Sequence, residues 1–273
     1  QKHSSFHSID QPITIWGWAD PGEQVKVSFL SKNYKAVTDQ EGNWSVVLPA
    51  TKAGGPYAMK INDLTINDIL IGDVWLCSGQ SNMETPMSRL TDLYADEIAT
   101  YTNAKIRYVK LPLAYNFQVK QEDIPAASWV ALSPETAMNF SGVAYFFAQH
   151  LQESTGVPIG ILNSSVGGSP AEAWISEEHL QEFPQYINDM LICRDDDYIR
   201  QTQDLQNKRN NIWNETLNAG DLGLKDNYRT PDYDDSQWAT TELFAPWGRD
   251  SYGEAINGSF WFRKTINLPA HLS

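Results

Sequence analysis

The sequence predicts an α/β protein whose central parallel sheet carries helices on both faces, with a small β-sandwich before it and further strands after it. Three observations carry this prediction. Short alternating strand patterns fill residues 1–66, strands and helices alternate over residues 67–215, and strand alternation returns over residues 216–273. Alternating strands and helices favour a parallel sheet with right-handed crossovers. A chain of 273 residues is long enough for two or three such domains.

The β-sandwich predicted for residues 1–66 rests on apolar residues at every second position, a period that places them on one face of a strand. Turn-forming residues at 20–22 and 39–43 separate the strands. The alternating residues that we expect in its core are Val25, Val27, Phe29, Trp44, Val46 and Leu48.

The central segment is predicted to contain three strands, over residues 69–77, 106–109 and 157–162. A helix separates the first two strands, and Asp92 is a candidate N-cap for it. Residues 112–138 contain several prolines and no clear period. We therefore expect a long loop there, over the face that carries the site.

The helix before the third strand has clear start and stop signals. Ser141 or Asn139 is its candidate N-cap, and Gly156 is expected to end it. Further helices are predicted over residues 176–215. Apolar residues recur at helical spacing in the capped helix at Phe140, Val143, Phe147 and Leu151.

The strand over residues 69–77 leads almost directly into the tetrapeptide Gly-Gln-Ser-Asn at residues 79–82. The carboxyl ends of parallel strands are where α/β folds place reactive groups, because the loops there converge on one crevice. Ser81 is therefore the candidate nucleophile. Met83 occupies the position at which the α/β-hydrolase elbow has its second glycine, so the two motifs differ. By itself, a turn of this composition is more often only a turn.

A second apolar strand runs into the glycine pair Gly167 and Gly168. Because a backbone without side chains can approach a ligand closely, this pair could direct amide N–H groups at a developing oxyanion beside Ser81. The alternative interpretation is a tight turn that needs a positive φ angle. The repeated arrangement of an apolar strand and a glycine turn favours a site at the sheet edge.

Two stretches of the chain together are similar to a known family. They are Gly-Gln-Ser-Asn-Met-Glu at residues 79–84 and the segment from Phe140 to Ser176. Both resemble the sialate O-acetylesterase family of SGNH-type carbohydrate esterases. The resemblance implies an SGNH-hydrolase-like sheet and, over residues 216–273, the start of an inserted jelly-roll domain of the galactose-binding type.

The resemblance also implies a reaction, the removal of O-acetyl groups from sialic acid or a related acetylated sugar, with no cofactor. Ser81 would be the nucleophile, and Gly167 and Gly168 would stabilise the oxyanion. Trp174 has a second interpretation, in which its ring packs the turn onto the sheet. The implied compartment is periplasmic or extracellular. The residues expected to bind substrate are Gln80, Asn82, Glu172 and Trp174.

A serine hydroxyl needs a general base, which is itself oriented by a third group. The resembled family takes both, a histidine and an aspartate, from a motif that residues 1–273 do not contain. We therefore expect a second polypeptide or a C-terminal fragment to supply them, and expect the isolated chain not to be fully active. His179 is the nearest substitute and His271 a weaker one, whereas His150 fits a helix surface.

Charge and composition exclude several classes of partner. The net charge of -14 argues against nucleic acids and anionic membrane surfaces, because both would repel the chain. No apolar run approaches the ~20 residues that span a bilayer. The five histidines lack the spacing of metal ligands, so no metal site is predicted, and the run at 194–197 is interpreted as a solvated helix face. Cys77 is expected to be a buried small hydrophobe, and with Cys193 as the only other thiol the compartment stays undecided.

Two other functions stay open at this point. Acetylxylan-type esterases share the Gly-Gln-Ser-Asn turn, so the acetylated sugar need not be sialic acid. A non-catalytic carbohydrate-binding protein, with an inert α/β core between β-domains, is the rival outside the enzymes. Labelling by a serine-reactive phosphonate separates an esterase from such a binding protein.

Overall fold

A computed structural model describes residues 6–7, 11–114, 116–121, 123, 127–241 and 259–269 of the chain. The chain divides into two compact units, residues 1–186 and 187–273. The domain limits predicted at residues 66 and 215 stay predictions.

In the part of the chain that is described, the first unit begins with seven strands in two sheets. A five-stranded sheet has the order β1-β7-β6-β3-β4, and β2 pairs with β5 in a second sheet. Apolar side chains from both sheets share one buried core, which contains all six residues that the alternation placed there. The strands are β1 (Phe6–His7), β2 (Ile13–Trp18), β3 (Gln24–Phe29), β4 (Lys32–Val37), β5 (Asn43–Leu48), β6 (Gly54–Ile61) and β7 (Leu64–Ile71).

The prediction of one continuous strand over residues 69–77 is wrong, because the chain changes sheets within this range. Strand β7 ends at Ile71, and β8 begins at Asp73 and runs to Gly79. Between them, a Cβ atom on Gly72 would lie 2.0 Å from the carbonyl oxygen of Pro158. Only glycine fits this close to another backbone, so the chain passes from one sheet to the other at this residue.

The remaining elements of the first unit build a four-stranded sheet with the order β10-β9-β11-β8. Strands β8, β11 and β9 are parallel, as predicted, and β10 is antiparallel to β9. Strand β10 and helix α3 both fall within the predicted loop over residues 112–138. The elements are α1 (Ser81–Glu84), α2 (Thr91–Thr100), β9 (Asn103–Lys110), β10 (Val130–Leu132), α3 (Pro134–Ala137), α4 (Gly142–Thr155), β11 (Ile159–Ser165) and α5 (Glu177–Leu180).

Helix α4 packs on this sheet, and its predicted ends are confirmed. The Ser141 hydroxyl oxygen accepts a hydrogen bond from the Ala144 amide at 3.3 Å, and Gly156 ends the helix with a φ of 71°. Its buried face includes Ala144, Tyr145 and Ala148. Of the apolar positions noted in the sequence, Phe140 is fully buried just before the helix, whereas Val143 and Phe147 are exposed.

Burial of the phenol of Tyr108, on strand β9, raises its pKa to about 12. The Tyr108 ring stacks on Phe140 with 4.4 Å between the ring centroids, so the two rings join the sheet to the start of α4.

Asp92 does not cap α2. Leu90 is the N-cap, and Asp92 lies in the first helical turn, where its charge still favours the helix dipole.

The described residues do not place a helix over every part of the sheet's second face. Trp75 of β8 faces α4, and its ring lies 5.2 Å from that of Phe147. Val74 and Leu76 alternate with Trp75 and so point the other way. They are 41% and 64% exposed. The prediction of helices on both faces is therefore not met at this edge of the described sheet.

The second unit is helical at its start, as predicted. Helix α6 (Pro184–Ile192) leads into it and is followed by α7 (Asp196–Gly220) and α8 (Leu222–Lys225). The Asp195 carboxylate accepts hydrogen bonds from the Asp197 and Tyr198 amides, so the acidic run begins a helix. Among the described residues no group of three or more histidine, cysteine or acidic side chains could hold a metal ion.

The strand alternation that the sequence shows over residues 216–273 is clearest at 260–268, but no strand forms there in the part of the chain that the structure describes. Residues 259–269 have no strand there, and Phe262, Ile266 and Leu268 are exposed. Alternation alone does not make a strand, because the backbone also needs a partner for its hydrogen bonds. Arg263 instead binds the Asp235 carboxylate and the Thr230 carbonyl, each at 2.8 Å.

None of the described helices combines the length and the apolar character that crossing a membrane requires.

Candidate active site

Ser81 lies at the end of strand β8, at the first position of the short helix α1. Gly79 makes the turn with a φ of 148°, a value that side chains with a Cβ atom rarely adopt. The Ser81 residue is exposed, and its hydroxyl has no hydrogen-bond partner among the described residues. A serine at this position is free to meet a substrate.

The glycine turn lies directly beside this serine. A Cβ atom on Gly167 would be 3.5 Å from the Ser81 Oγ and 2.7 Å from the Glu84 Oε2. A side chain at residue 167 would therefore fill the space next to the hydroxyl. The structure thus brings together the two motifs that the sequence analysis singled out, which are 86 residues apart between Ser81 and Gly167.

Three hydrogen bonds join the serine segment to the glycine turn. The Val166 amide donates to the Gly79 carbonyl at 3.0 Å. The Gly167 amide donates to the Glu84 Oε2 at 2.6 Å. The Gln80 side-chain amide donates to the carbonyl of Ser169. Gln80, predicted to bind substrate, is therefore engaged in holding the two segments together.

The two glycine amides differ in what they can offer a ligand. The Gly167 amide is occupied by the Glu84 carboxylate. Gly168 has a φ of 76°, and its amide has no partner in the described part of the chain. In this arrangement Gly168 has the unoccupied N–H group of the pair.

A pocket of about 430 Å³ opens beside Ser81. Within it the Lys110 Nζ lies 3.6 Å from the Glu84 Oε1. The Arg89 side chain has no acidic partner among the described residues. The pocket therefore holds two cationic side chains and one carboxylate, in a chain whose net charge is -14. The residues that line it are Ser81, Glu84, Thr85, Pro86, Arg89, Lys110 and Gly167.

Buried polar residues support the site from below, and sequence reasoning missed them. Asn163 of β11 donates to the Met83 carbonyl at 3.5 Å, and the Ser165 hydroxyl donates to the Asn163 Oδ1 at 2.8 Å. Both side chains are buried. Polar residues at inward positions of an otherwise apolar strand are the signal that could have identified them, because buried polar groups require partners.

Cys77 is buried in the core beneath the site, as expected. Burial raises the pKa of its thiol, so the neutral form is favoured and the side chain is a poor nucleophile. Cys77 therefore has a packing role in β8.

The other residues predicted to bind substrate are Asn82, Glu172 and Trp174. Asn82 is exposed and Glu172 half-buried, and neither side chain has a hydrogen-bond partner in the described residues. The Trp174 indole N–H donates to the Ser169 hydroxyl at 2.9 Å, while 42% of the residue stays exposed. Trp174 thus packs on the turn and still offers a surface, which fits both interpretations.

The candidate histidines have other partners or lie elsewhere. The Nδ1 atom of His179 is 2.8 Å from the Ser176 hydroxyl oxygen. His150 is exposed on helix α4. His271 lies outside the described residues. No histidine with a described side chain hydrogen-bonds to Ser81.

Comparisons with known proteins show which family this chain is similar to. Residues 71–198 match the family described as carbohydrate esterase, sialic acid-specific acetylesterase. The sialate O-acetylesterase of Homo sapiens is 34% identical over 191 residues, which cover 61% of this chain and 36% of the relative. That of Mus musculus is 31% identical over 193 residues, with 61% and 35% covered.

A solved structure is also similar. The crystal structure of a carbohydrate acetylesterase from Xanthomonas citri is 40% identical, with a TM-score of 0.63. The match covers 67% of this chain and 43% of that one. The chain spans about a third of the length of the curated relatives it matches, 36% for the human protein.

Proposed function

We propose that this chain removes O-acetyl groups from carbohydrate through Ser81. The premise is that the chain belongs, through residues 71–198, to the sialic acid-specific acetylesterase family of carbohydrate esterases. One observation carries the proposal. The Ser81 hydroxyl is exposed and unpartnered among the described residues, and it lies against a glycine turn with an unoccupied amide. A nucleophile and an oxyanion donor are two of the groups that acyl transfer needs at one place.

The proposed reaction proceeds through an acetyl-enzyme. The Ser81 Oγ attacks the carbonyl carbon of the acetyl group and gives its proton to a general base. The backbone amides of Ser81 and Gly168 donate to the oxyanion that forms. The C–O bond to the sugar then breaks, and the sugar hydroxyl leaves with the proton. A water molecule then gives a proton to the base and attacks the acetyl carbonyl, the bond to the Ser81 Oγ breaks, the Oγ takes back a proton and acetate leaves, so no cofactor is needed.

In this proposal the base and its orienting acid, a histidine and an aspartate, lie on a polypeptide segment outside the described residues, either a second polypeptide or a C-terminal fragment. Two observations support it. The Ser81 hydroxyl has no hydrogen-bond partner among the described residues, and the His179 ring is hydrogen-bonded to the Ser176 hydroxyl. The intact mass of the active protein tests this part directly, since a preparation that consists of residues 1–273 alone and hydrolyses acetyl sugars at a full rate contradicts it.

Replacing His179 with alanine is expected to leave the rate of acetyl-ester hydrolysis within about 3-fold of the unaltered protein, because an exposed residue outside the reacting groups has little effect. Initial rates of acetate release are the measurement. A loss of about 10³-fold or more would instead identify His179 as the base.

We further propose that the substrate is an acidic sugar such as sialic acid rather than a neutral acetylxylan. The support is the pair of cationic side chains, Arg89 and Lys110, in the pocket beside Ser81. A guanidinium binds a carboxylate through paired charge-assisted hydrogen bonds. Arg89 is the better candidate for this contact, because Lys110 lies near Glu84.

Replacing Arg89 with methionine is expected to reduce kcat/KM for O-acetylated sialic acid by about 10- to 100-fold, the equivalent of one charged hydrogen bond. Hydrolysis of p-nitrophenyl acetate, which has no carboxylate, should change little. Arg89→Lys is the matched control, since it keeps the charge and should recover part of the loss. An equal decrease on both esters would remove the basis for an acidic sugar.

The rival function, sugar binding without catalysis, is tested by covalent labelling. A fluorophosphonate is expected to modify Ser81 in the active protein, as located by peptide mass spectrometry. Release of acetate from O-acetylated sialic acid and from acetylxylan then ranks the two substrates. If neither ester is hydrolysed and Ser81 stays unlabelled while the sugars still bind, the binding function is the correct one.

The proposal also includes the domain limits and the compartment implied by the family. Residues 1–66, 67–215 and 216–273 would be a β-sandwich, the first part of an SGNH-like domain and the start of an inserted jelly-roll. The aromatic contacts among Tyr228, Trp238 and Trp261 give the last segment a local core. A periplasmic or extracellular location is consistent with an acetylated carbohydrate as substrate.

A further inference from the structure

Glu84 forms a bridge within the site that the proposed reaction does not use. Its Oε2 accepts the Gly167 amide hydrogen at 2.6 Å, and its Oε1 lies 3.6 Å from the Lys110 Nζ. Glu84 is three residues after Ser81 in helix α1, so the two side chains lie near one another along the helix surface. Its side chain is only 28% exposed, which limits the competition of water for the carboxylate.

The bridge determines which glycine amide can act on a substrate. An amide N–H has one hydrogen to donate, and at 2.6 Å that of Gly167 is committed to the carboxylate. A carboxylate next to an oxyanion would also repel it, so Gly167 is poorly suited to that role. The Gly168 amide has no such partner in the described residues.

The bridge also fixes the position of the turn. The glycine turn has two other hydrogen bonds to the serine segment, at Val166 and Ser169, on either side of the glycine pair. The Glu84 carboxylate accepts the hydrogen bond that lies between these two. Without it, the peptide groups of Gly167 and Gly168 could rotate, because glycine has the widest choice of backbone angles.

We infer that Glu84 is a positioning residue of the esterase site, whose carboxylate, flanked by Lys110, anchors the Gly167 amide and so holds the glycine turn beside Ser81 with the Gly168 amide unoccupied. The inference rests on the proposed function. It assigns oxyanion binding to Gly168 and a holding role to Gly167. In this inference Glu84 acts through Gly167 and not on the reacting atoms.

The activity test compares two substitutions at this position in the active protein. Glu84→Gln keeps an oxygen that accepts the Gly167 hydrogen and should retain kcat within about 3-fold. Glu84→Ala removes the acceptor and should lower kcat by about 10- to 100-fold with little change in KM, since misplacing a catalytic group by ~1 Å has an effect of that size. An equal loss in both variants, or a higher kcat in Glu84→Ala, overturns the inference.

A second readout does not depend on activity and so separates this inference from the proposed function. Amide hydrogen exchange of Gly167, followed by NMR on protein labelled with ¹⁵N-glycine, should be slow in the unaltered protein and in Glu84→Gln. It should become at least 10-fold faster in Glu84→Ala, while Gly168 exchanges rapidly in all three. Unchanged protection of Gly167 in Glu84→Ala overturns the inference even if the protein is an esterase. The predicted exchange pattern in a protein without hydrolase activity would contradict the proposed function and leave the anchor in place.

Discussion

Replacing Ser81 with alanine is expected to reduce acetyl-ester hydrolysis by about 10⁴-fold or more, because the oxygen that forms the acetyl-enzyme is removed. The fold should be unaffected. The side chain is exposed, and its hydroxyl makes no hydrogen bond among the described residues, so its loss leaves neither a cavity nor an orphaned partner. The measurement is the initial rate of acetate release, together with mass spectrometry for a covalent acetyl group after rapid quenching.

Ser88 offers a matched control for this substitution. It is an exposed serine seven residues further along the chain, and among the described residues its side chain has no hydrogen-bond partner, while its backbone amide donates to the Met138 carbonyl. Ser88→Ala should therefore hydrolyse esters at the unaltered rate. If Ser81→Ala retains more than about a tenth of the activity, another nucleophile does the chemistry and the proposed mechanism is wrong.

Replacing Gly72 with alanine is expected to destabilise the first unit by about 3 kcal/mol or more, as overpacking against backbone does. The added Cβ would lie 2.0 Å from the Pro158 carbonyl oxygen and 2.7 Å from its carbon. Neither atom belongs to a side chain that could rotate away. The Asp73 amide donates to the same carbonyl at 3.0 Å, so moving Pro158 would also disturb the start of β8.

Hydrogen exchange in peptides from residues 64–79 and 157–165 is the appropriate measurement for Gly72→Ala, since two compact units need not unfold in one transition. The control is Gly220→Ala, at the end of helix α7. A Cβ there meets nothing within 4 Å, and alanine favours a helix over glycine. Equal protection of β7 and β8 in Gly72→Ala and the unaltered protein would refute the expected clash.

Patterns with a local physical cause were readable from the sequence. Ser141 and Gly156 mark the ends of α4 because a capping hydroxyl and a left-handed residue satisfy the terminal backbone groups where they stand. Alternation placed Val25, Val27 and Phe29 in the core. The family resemblance predicted from the two glycine-containing motifs is confirmed by the comparisons.

Features that depend on distant residues were not readable. Gly72 lies within a stretch, residues 69–77, that is apolar apart from Gly72 itself and Asp73, and only the approach of Pro158 explains why the strand breaks there. The bond between Glu84 and Gly167 joins positions that no local period relates. Residues 260–268 alternate as a strand does, yet alternation does not say whether a partner strand is available. In the site, both motifs could be identified, but not which glycine amide was already occupied.

Strand β8 lies at one end of the four-stranded sheet, with no further strand beside it in the described part of the chain. A bare sheet edge with large apolar residues such as Leu76 is a template on which a second molecule can add its own strand. The excess of negative charge, -14, keeps such molecules apart. Dissolved ions shorten the reach of that repulsion to ~10 Å at 0.1 M. Concentrated samples of this protein should therefore be handled in dilute buffer, because added salt would favour clustering through this edge.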